Sequence, residues 1–186
     1  MITRHFAAAL LIAFASCAWA ADGGFYIGAG YGEAHVEDHP ANPSGGGTLN
    51  FDAAGRSYRA FLGYRTRATS LVDVAGEATY GDYGRISQTN QGVNMQYQLR
   101  GGELAGLLIL PAAPFDVYGR VGIVSWSAKT DIGGTTSSRR GTNGLYGLGA
   151  GFSVGKVAIR AEYNFYDVSV VDKLKTFTLD LVWRFY

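Results

Sequence analysis

The residues able to do chemistry in this chain stand mostly at every second position of apolar segments. Asp73 and Glu77 lie in "LVDVAGEATYGDY", Arg100 and Glu103 in "MQYQLRGGE", and Arg120 in "FDVYGRVGIVSW". Arg160 and Glu162 alternate in "VAIRAEYNFYDV", and Asp180 and Arg184 in the closing "FTLDLVWRFY". Carboxylates and guanidiniums taken out of water must be paired, because an unpaired buried charge is costly. Such a set either fills an interior as a fixed ion-pair network or exchanges partners to open a narrow water path.

Three further groups invite a chemical reading. The stretch "EAHVEDH" carries His35, Glu37, Asp38 and His39, the donor types that bind zinc, though a polar exposed loop has the same composition. Lys129, Arg139 and Arg140 fall in "AKTDIGGTTSSRRGTN", where surface cations can meet lipopolysaccharide phosphates. Nucleophilic catalysis needs a base beside the nucleophile. No strand offers a His-Ser pair, and with His5 in the leader only His35 and His39 remain. The glycine patterns "GAGYG" and "GLGAG" lack the Lys-Ser/Thr ending and the following helix of a phosphate loop. The chain therefore reads as non-enzymatic, with no cofactor and no metal.

The elements that position the charges come from their period. Phe177, Leu179, Leu181, Trp183 and Phe185 form one series of the last segment, while Thr178, Asp180, Val182 and Arg184 form the other. A period of two is that of a β-strand, whose successive side chains point to opposite faces. The same alternation runs through seven earlier segments, beginning with "GFYIGAGYGEA", "RSYRAFLGYRT" and "LVDVAGEATYGDY". In the fourth, Met95, Tyr97 and Leu99 give way to Leu104, Gly106, Leu108 and Leu110, and the slip at Gly101-Gly102 predicts a β-bulge. The predicted connections alternate between tight turns ("RATS", "PAAP", "GK") and longer polar loops. That asymmetry, with an even strand count, is the pattern of an outer-membrane barrel. Tyr31, Tyr64, Tyr80, Phe165, Trp183 and Phe185 stand near strand ends, where interfacial aromatic girdles belong. The expected fold is all-β: an eight-stranded antiparallel up-and-down transmembrane β-barrel, apolar outside and charged within. A secreted soluble β-barrel is the alternative, and it would put the large apolar groups inside.

Length and charge agree. The chain has 186 residues, enough for one domain. Removing Arg4 with the leader reduces the 16 basic residues to 15, equal to the acidic count, so nothing suggests a nucleic-acid partner. Residues 1–20, "MITRHFAAALLIAFASCAWA", have the positive start, short apolar core and Ala-Trp-Ala site of a cleaved signal peptide. Cys17 in "FASC" leaves open a lipoprotein reading, against which stand Phe14 and the Ala-Trp-Ala site that follows at once. Residues 21–186 would then form the barrel domain.

"FDVYGRVGIVSWSAKT", "AIRAEYNFYDV" and "FTLDLVWRF" resemble strands of the eight-stranded transmembrane domain of the outer-membrane protein A family, and "VAGEATYGDY" resembles its third strand with a buried glutamate. The resemblance implies an interior network around Glu77 and Arg160, extended by Asp73, Arg100, Glu103, Arg120, Glu162 and Asp180. It implies that Phe177, Leu179, Leu181, Trp183 and Phe185 serve the barrel-assembly machinery as a terminal signal, with Tyr186 one residue beyond the usual end. The family's second acidic partner would fall near Gly151, which is not acidic, so the interior must be wired differently. The resemblance covers the family's barrel alone, so cell-wall anchoring through a peptidoglycan-binding domain is not expected to carry over. The expected protein sits in the outer membrane of a Gram-negative bacterium as a monomer or weak associate. Its partners would be outer-membrane lipids, lipopolysaccharide and, during biogenesis, periplasmic chaperones. Its expected role is structural or interfacial, through four surface loops; a narrow gated pore and, more remotely, a lipid-modifying enzyme are the rivals.

Overall fold

The computed structural model describes residues 23–39, 48, 51–90, 93–132, 134–168 and 173–185. The leader, most of the first long loop and Tyr186 lie outside the described residues. Eight strands follow one another: β1 (Gly24–Asp38), β2 (Phe51–Arg67), β3 (Asp73–Asn90), β4 (Val93–Ala112), β5 (Phe115–Ile132), β6 (Thr135–Val154), β7 (Val157–Tyr166) and β8 (Lys173–Arg184). Each pairs antiparallel with its sequence neighbours, and β8 returns to β1 with Tyr26 opposite Arg184 and Glu37 opposite Lys173, closing the barrel.

Alternation decides which face is which. Along β8, Phe177, Leu179, Leu181 and Trp183 point outward and are about half exposed, whereas Thr178, Asp180 and Val182 are buried. The same holds across the barrel, where Ile27, Leu62, Leu108, Val121, Leu148 and Ile159 are all outside. An apolar exterior around a charged interior is the arrangement a hydrocarbon solvent requires. On β5 the outward apolar run goes from Phe115 to Ile123 and ends at Ser125, close to the roughly 9 to 11 residues that a tilted strand needs to cross a bilayer.

Above that level the strands continue, and the polarity inverts. Val36, Ile86, Tyr97, Leu99, Trp126 and Leu174 now fill the inside, while Lys129, Arg140 and Lys173 face out. The second and third of the expected long loops are largely strand. Between β3 and β4 only residues 91–92 connect, and between β5 and β6 only residues 133–134. His35, Glu37 and Asp38 likewise belong to β1.

The inversion also relocates the bulge. Tyr97, Leu99, Glu103, Ala105, Leu107 and Ile109 all point inward, so β4 keeps one phase throughout, and its register with β5 is unbroken. What changes at Gly101-Gly102 is the solvent around the barrel, which makes apolar residues switch faces. The irregularity lies on β3, where the register with β4 slips between Asp82 and Arg85. Gly84 takes φ +80° there, its N–H donates to the Asp82 carboxylate at 2.9 Å, and a Cβ would strike the Arg56 carbonyl. Only glycine fits a positive φ beside so close a backbone.

Candidate functional site: a sealed ionic interior and a basic outer rim

Glycines on the inner face make room for the large groups opposite. A Cβ on Gly63 would overlap the Tyr26 ring, and one on Gly149 the Tyr118 ring. Into that space β2, β5 and β7 project Arg59, Arg120 and Arg160, while β3, β4, β7 and β8 project Glu77, Glu103, Glu162 and Asp180.

Glu162 is the hub. It accepts from Arg59, from Arg120, and from Arg160 at 3.1 Å. Tyr118 and Asn164 each donate to it at 2.8 Å. Arg160 also reaches Glu77 at 3.1 Å and has Nε 4.0 Å from Asp180. Arg120 donates to Glu103 at 2.8 Å and lies 3.8 Å from Glu77. Arg59 forks onto both oxygens of Asp180. Three guanidiniums thus face four carboxylates, and phenols supply the missing donors. Tyr26 donates to Glu77 at 3.0 Å, and Tyr83 and Tyr166 (2.9 Å) both donate to Glu103. Arg160 further stacks over Phe61 at 4.7 Å and Tyr118 at 5.0 Å from the ring centres.

The inward residues named from the sequence therefore fall into two groups. Glu77, Arg160, Glu103, Arg120, Glu162 and Asp180 meet in one network. Asp73 lies apart, near the short-turn end, where Arg65 bonds it at 2.8 Å and reaches Asp116 at 3.0 Å; Arg184 joins Asp116 at 3.3 Å. Arg100 is a correction. It points out of the barrel, half exposed, and pairs with Asp82 at 2.8 Å, because β4 keeps its phase through Gly101-Gly102. Arg59 was legible as an inward residue but not as a hub ligand, since alternation gives a face and not a partner. The tyrosines carried no signal as donors. At the position of the absent acid, Gly151 instead makes room for the Asp116 carboxylate.

Among the described residues, two small cavities lie inside. One cavity of about 20 Å³ lies between Tyr26, Arg65, Asp116 and Arg184, and another of about 10 Å³ among Val36, Ile86, Tyr97 and Leu174. Each has room for about one water.

At the opposite end, His35 Nε2 lies 2.9 Å from Asp52, and Glu37 is taken by Lys173 at 2.7 Å and Lys175 at 3.1 Å. These lysines hold the Glu37 carboxyl at about 2, below its ordinary 4.5. Of the two carboxylates in that donor set, Glu37 is engaged by Lys173 and Lys175 across the β1–β8 seam, and Asp38 accepts from the Tyr97 hydroxyl on β4. Lys129, Arg139 and Arg140 are exposed on the tall β5–β6 hairpin.

Known folds agree with this architecture. The Ail attachment invasion locus protein of Yersinia pestis superposes with a TM-score of 0.55 at 20% identity, over 88% of this chain and 99% of its own. Neisserial surface protein A gives 0.61 at 18% identity, over 87% and 97%. The N-terminal barrel domain of Pseudomonas aeruginosa OprF gives 0.53 at 13% identity, over 87% and 98%. No curated protein matches the sequence. The sequence profile of the outer membrane protein beta-barrel domain matches residues 6–185, and this chain, an outer-membrane β-barrel by fold and by sequence, belongs to that family.

Proposed function

We propose that the barrel is a non-catalytic surface-contact protein, anchored by its lipid-facing band and acting through the sheet that rises above it. One observation carries the reading. β6 pairs with β7 only from Leu145 opposite Tyr166 downward, whereas it pairs with β5 up to Thr135 opposite Ile132. Among the described residues, 135–143 of β6 thus have no partner strand on that side. The Gly144 carbonyl turns toward β7, accepting from the Asp167 N–H at 3.0 Å. Backbone groups alternate sides along a strand, so Thr136, Ser138, Arg140 and Thr142 aim theirs at that edge.

An unpaired edge is a template for an extended partner segment. Arg139 and Arg140 repel a second copy of the same edge and favour an acidic occupant. The names of relatives agree in kind, one being an attachment invasion locus protein and another a surface protein. The filled interior argues against the narrow pore.

The test is Ser138→Pro. Proline removes an N–H that faces the open edge and leaves the β5 ladder intact, a placement that an edge strand tolerates. Cells displaying wild type are expected to adhere to an epithelial monolayer above vector-only cells, and Ser138→Pro at equal surface level to lose that excess. Equal adherence of the variant would refute the edge, and no wild-type excess would refute the contact role.

A further inference from the structure

The unpaired stretch of β6 offers side chains as well as backbone, and β5 fixes which way they point. Arg139 stands opposite Ala128, Gly141 opposite Trp126 and Asn143 opposite Val124. Those three β5 residues are buried inside the barrel, and residues directly opposite share a face. Arg139, Gly141 and Asn143 are therefore on the inner face, with Arg140 and Thr142 on the outer one. Arg139 and Arg140 are nevertheless both exposed, since among the described residues no strand stands beyond β6 at their height.

Gly141 breaks that row of side chains. A Cβ there would sit 2.6 Å from Cζ2 and 2.9 Å from Cε2 of Trp126, closer than non-bonded carbons approach. The indole of β5 thus lies across β6, in the space a side chain would take. Its Nε1 donates to the Asn143 side-chain oxygen at 2.7 Å, which pins the ring there. Thr136, Ser138, Arg140 and Thr142 aim their backbone groups at the edge, so in an added antiparallel strand each would exchange two hydrogen bonds with the residue opposite. Arg139 and Gly141 fall at the alternate pairs, which exchange none and hold side chains closest, with Cα atoms about 4.5 Å apart. A side chain arriving opposite Gly141 on the inner face therefore meets an aromatic ring.

We propose that this edge selects an antiparallel partner segment reading, from its N-terminal side, aromatic–acidic–acidic opposite Gly141, Arg140 and Arg139. The inference rests on the surface-contact reading above and names the segment that the edge takes. An aromatic opposite Gly141 covers the bare glycine backbone and packs on the edge of Trp126, the pairing that stabilises edge glycines. Among the described residues, Arg139 and Arg140 make no ion pair. They point to opposite faces, so two consecutive acids, one on each face, are needed to meet both guanidiniums. Any other order sets a carboxylate against the indole and leaves an arginine facing a ring. The antiparallel sense continues every pairing of the barrel and is the more stable per residue. At its lower end the segment stops at Asn143, because the Asp167 N–H already takes the Gly144 carbonyl.

The folded protein in detergent micelles is titrated with fluorescein-labelled peptides long enough to span residues 135–143, and binding is read by anisotropy. The reference peptide carries tyrosine–glutamate–glutamate in a threonine–serine background. Serine in place of the tyrosine is expected to weaken binding about fivefold, and glutamine in place of both glutamates about tenfold. The reversed order, glutamate–glutamate–tyrosine, is expected to weaken it about fivefold, since no antiparallel register then satisfies Gly141 and both arginines. Arg139→Gln/Arg140→Gln is expected to erase the difference between the glutamate and glutamine peptides, and Ser138→Pro to bind neither. Equal binding of all four peptides to wild type, lost in Ser138→Pro, would overturn the preferred order and leave the edge standing. Reference binding that survives Ser138→Pro, a glutamate preference that survives the double variant, or no binding to wild type would overturn the inference. Adherence of wild-type cells is read separately and judges the contact role on its own.

Discussion

Arg120→Met is the sharpest test of the interior. Arg120 has no exposed side-chain surface and bonds Glu162 and Glu103, with Glu77 at 3.8 Å. Three guanidiniums stand against four carboxylates, so losing Arg120 leaves two against four. Methionine fills the volume but neutralises nothing. Removing one partner of a buried pair costs about 3–5 kcal/mol, because the survivor stays buried and uncompensated. With a urea slope of about 2 kcal/mol/M, the midpoint falls by about 2 M. Glu162→Gln is the informative comparison. It leaves three guanidiniums against three carboxylates, and the amide oxygen can still accept from Arg59 and Arg120, while Arg160 keeps Glu77. Although Glu162 has more partners, its neutralisation is expected to lower the midpoint less. The assay is urea unfolding in lipid vesicles, followed by the fluorescence of Trp126 inside the barrel and Trp183 on its lipid face. An unchanged midpoint for Arg120→Met, or a larger fall for Glu162→Gln, would refute the charge argument and leave packing alone as what holds the interior.

Two further outcomes follow from the seam and the terminus. Glu37, held at about 2 by Lys173 and Lys175, is depressed relative to its unfolded value. Its contribution is therefore complete above about pH 4.5 and is lost as pH falls toward 2. Amide exchange at the top of β1 and β8 is expected to accelerate in acid over that window in wild type, and Glu37→Gln is expected to exchange fast at every pH; a pH-independent wild type would contradict the clasp. Deleting Phe185 and Tyr186 removes the last outward aromatic of the β8 series, and also the Phe185 N–H that donates to the Phe25 carbonyl at 2.9 Å. The truncated chain is expected to accumulate unassembled in the periplasm, and insertion at wild-type level would dismiss the terminal-signal reading.

The sequence was legible wherever a single solvent rule held. Within the bilayer, alternation at Phe177 to Phe185 and at Val157 to Phe165 separates lipid-facing from inward residues, so Glu77, Arg120 and Arg160 could be put inside from pattern alone. Partners were less legible, because a hub such as Glu162 gathers residues from β2, β5 and β7, and register across a barrel is not written in any one strand. The rule failed where the strands leave the membrane. There the outside is water and the inside is a dry apolar core, so Tyr97 and Leu99 turn in while Arg100 turns out. The same inversion accounts for the misplaced bulge, for the exclusion of Arg100 from the interior and for the two loops, β3–β4 and β5–β6, that proved to be strand. It also accounts for the chemistry of the rim. A strand that must be apolar outside below one row and polar outside above it puts its first cations at that boundary. On β4 and β6 these are Arg100 and Arg140, either side of Ser127 on β5. A residue read as a buried ion-pair partner is thus, by the physics that moved it outward, the first cation above the apolar band of its strand.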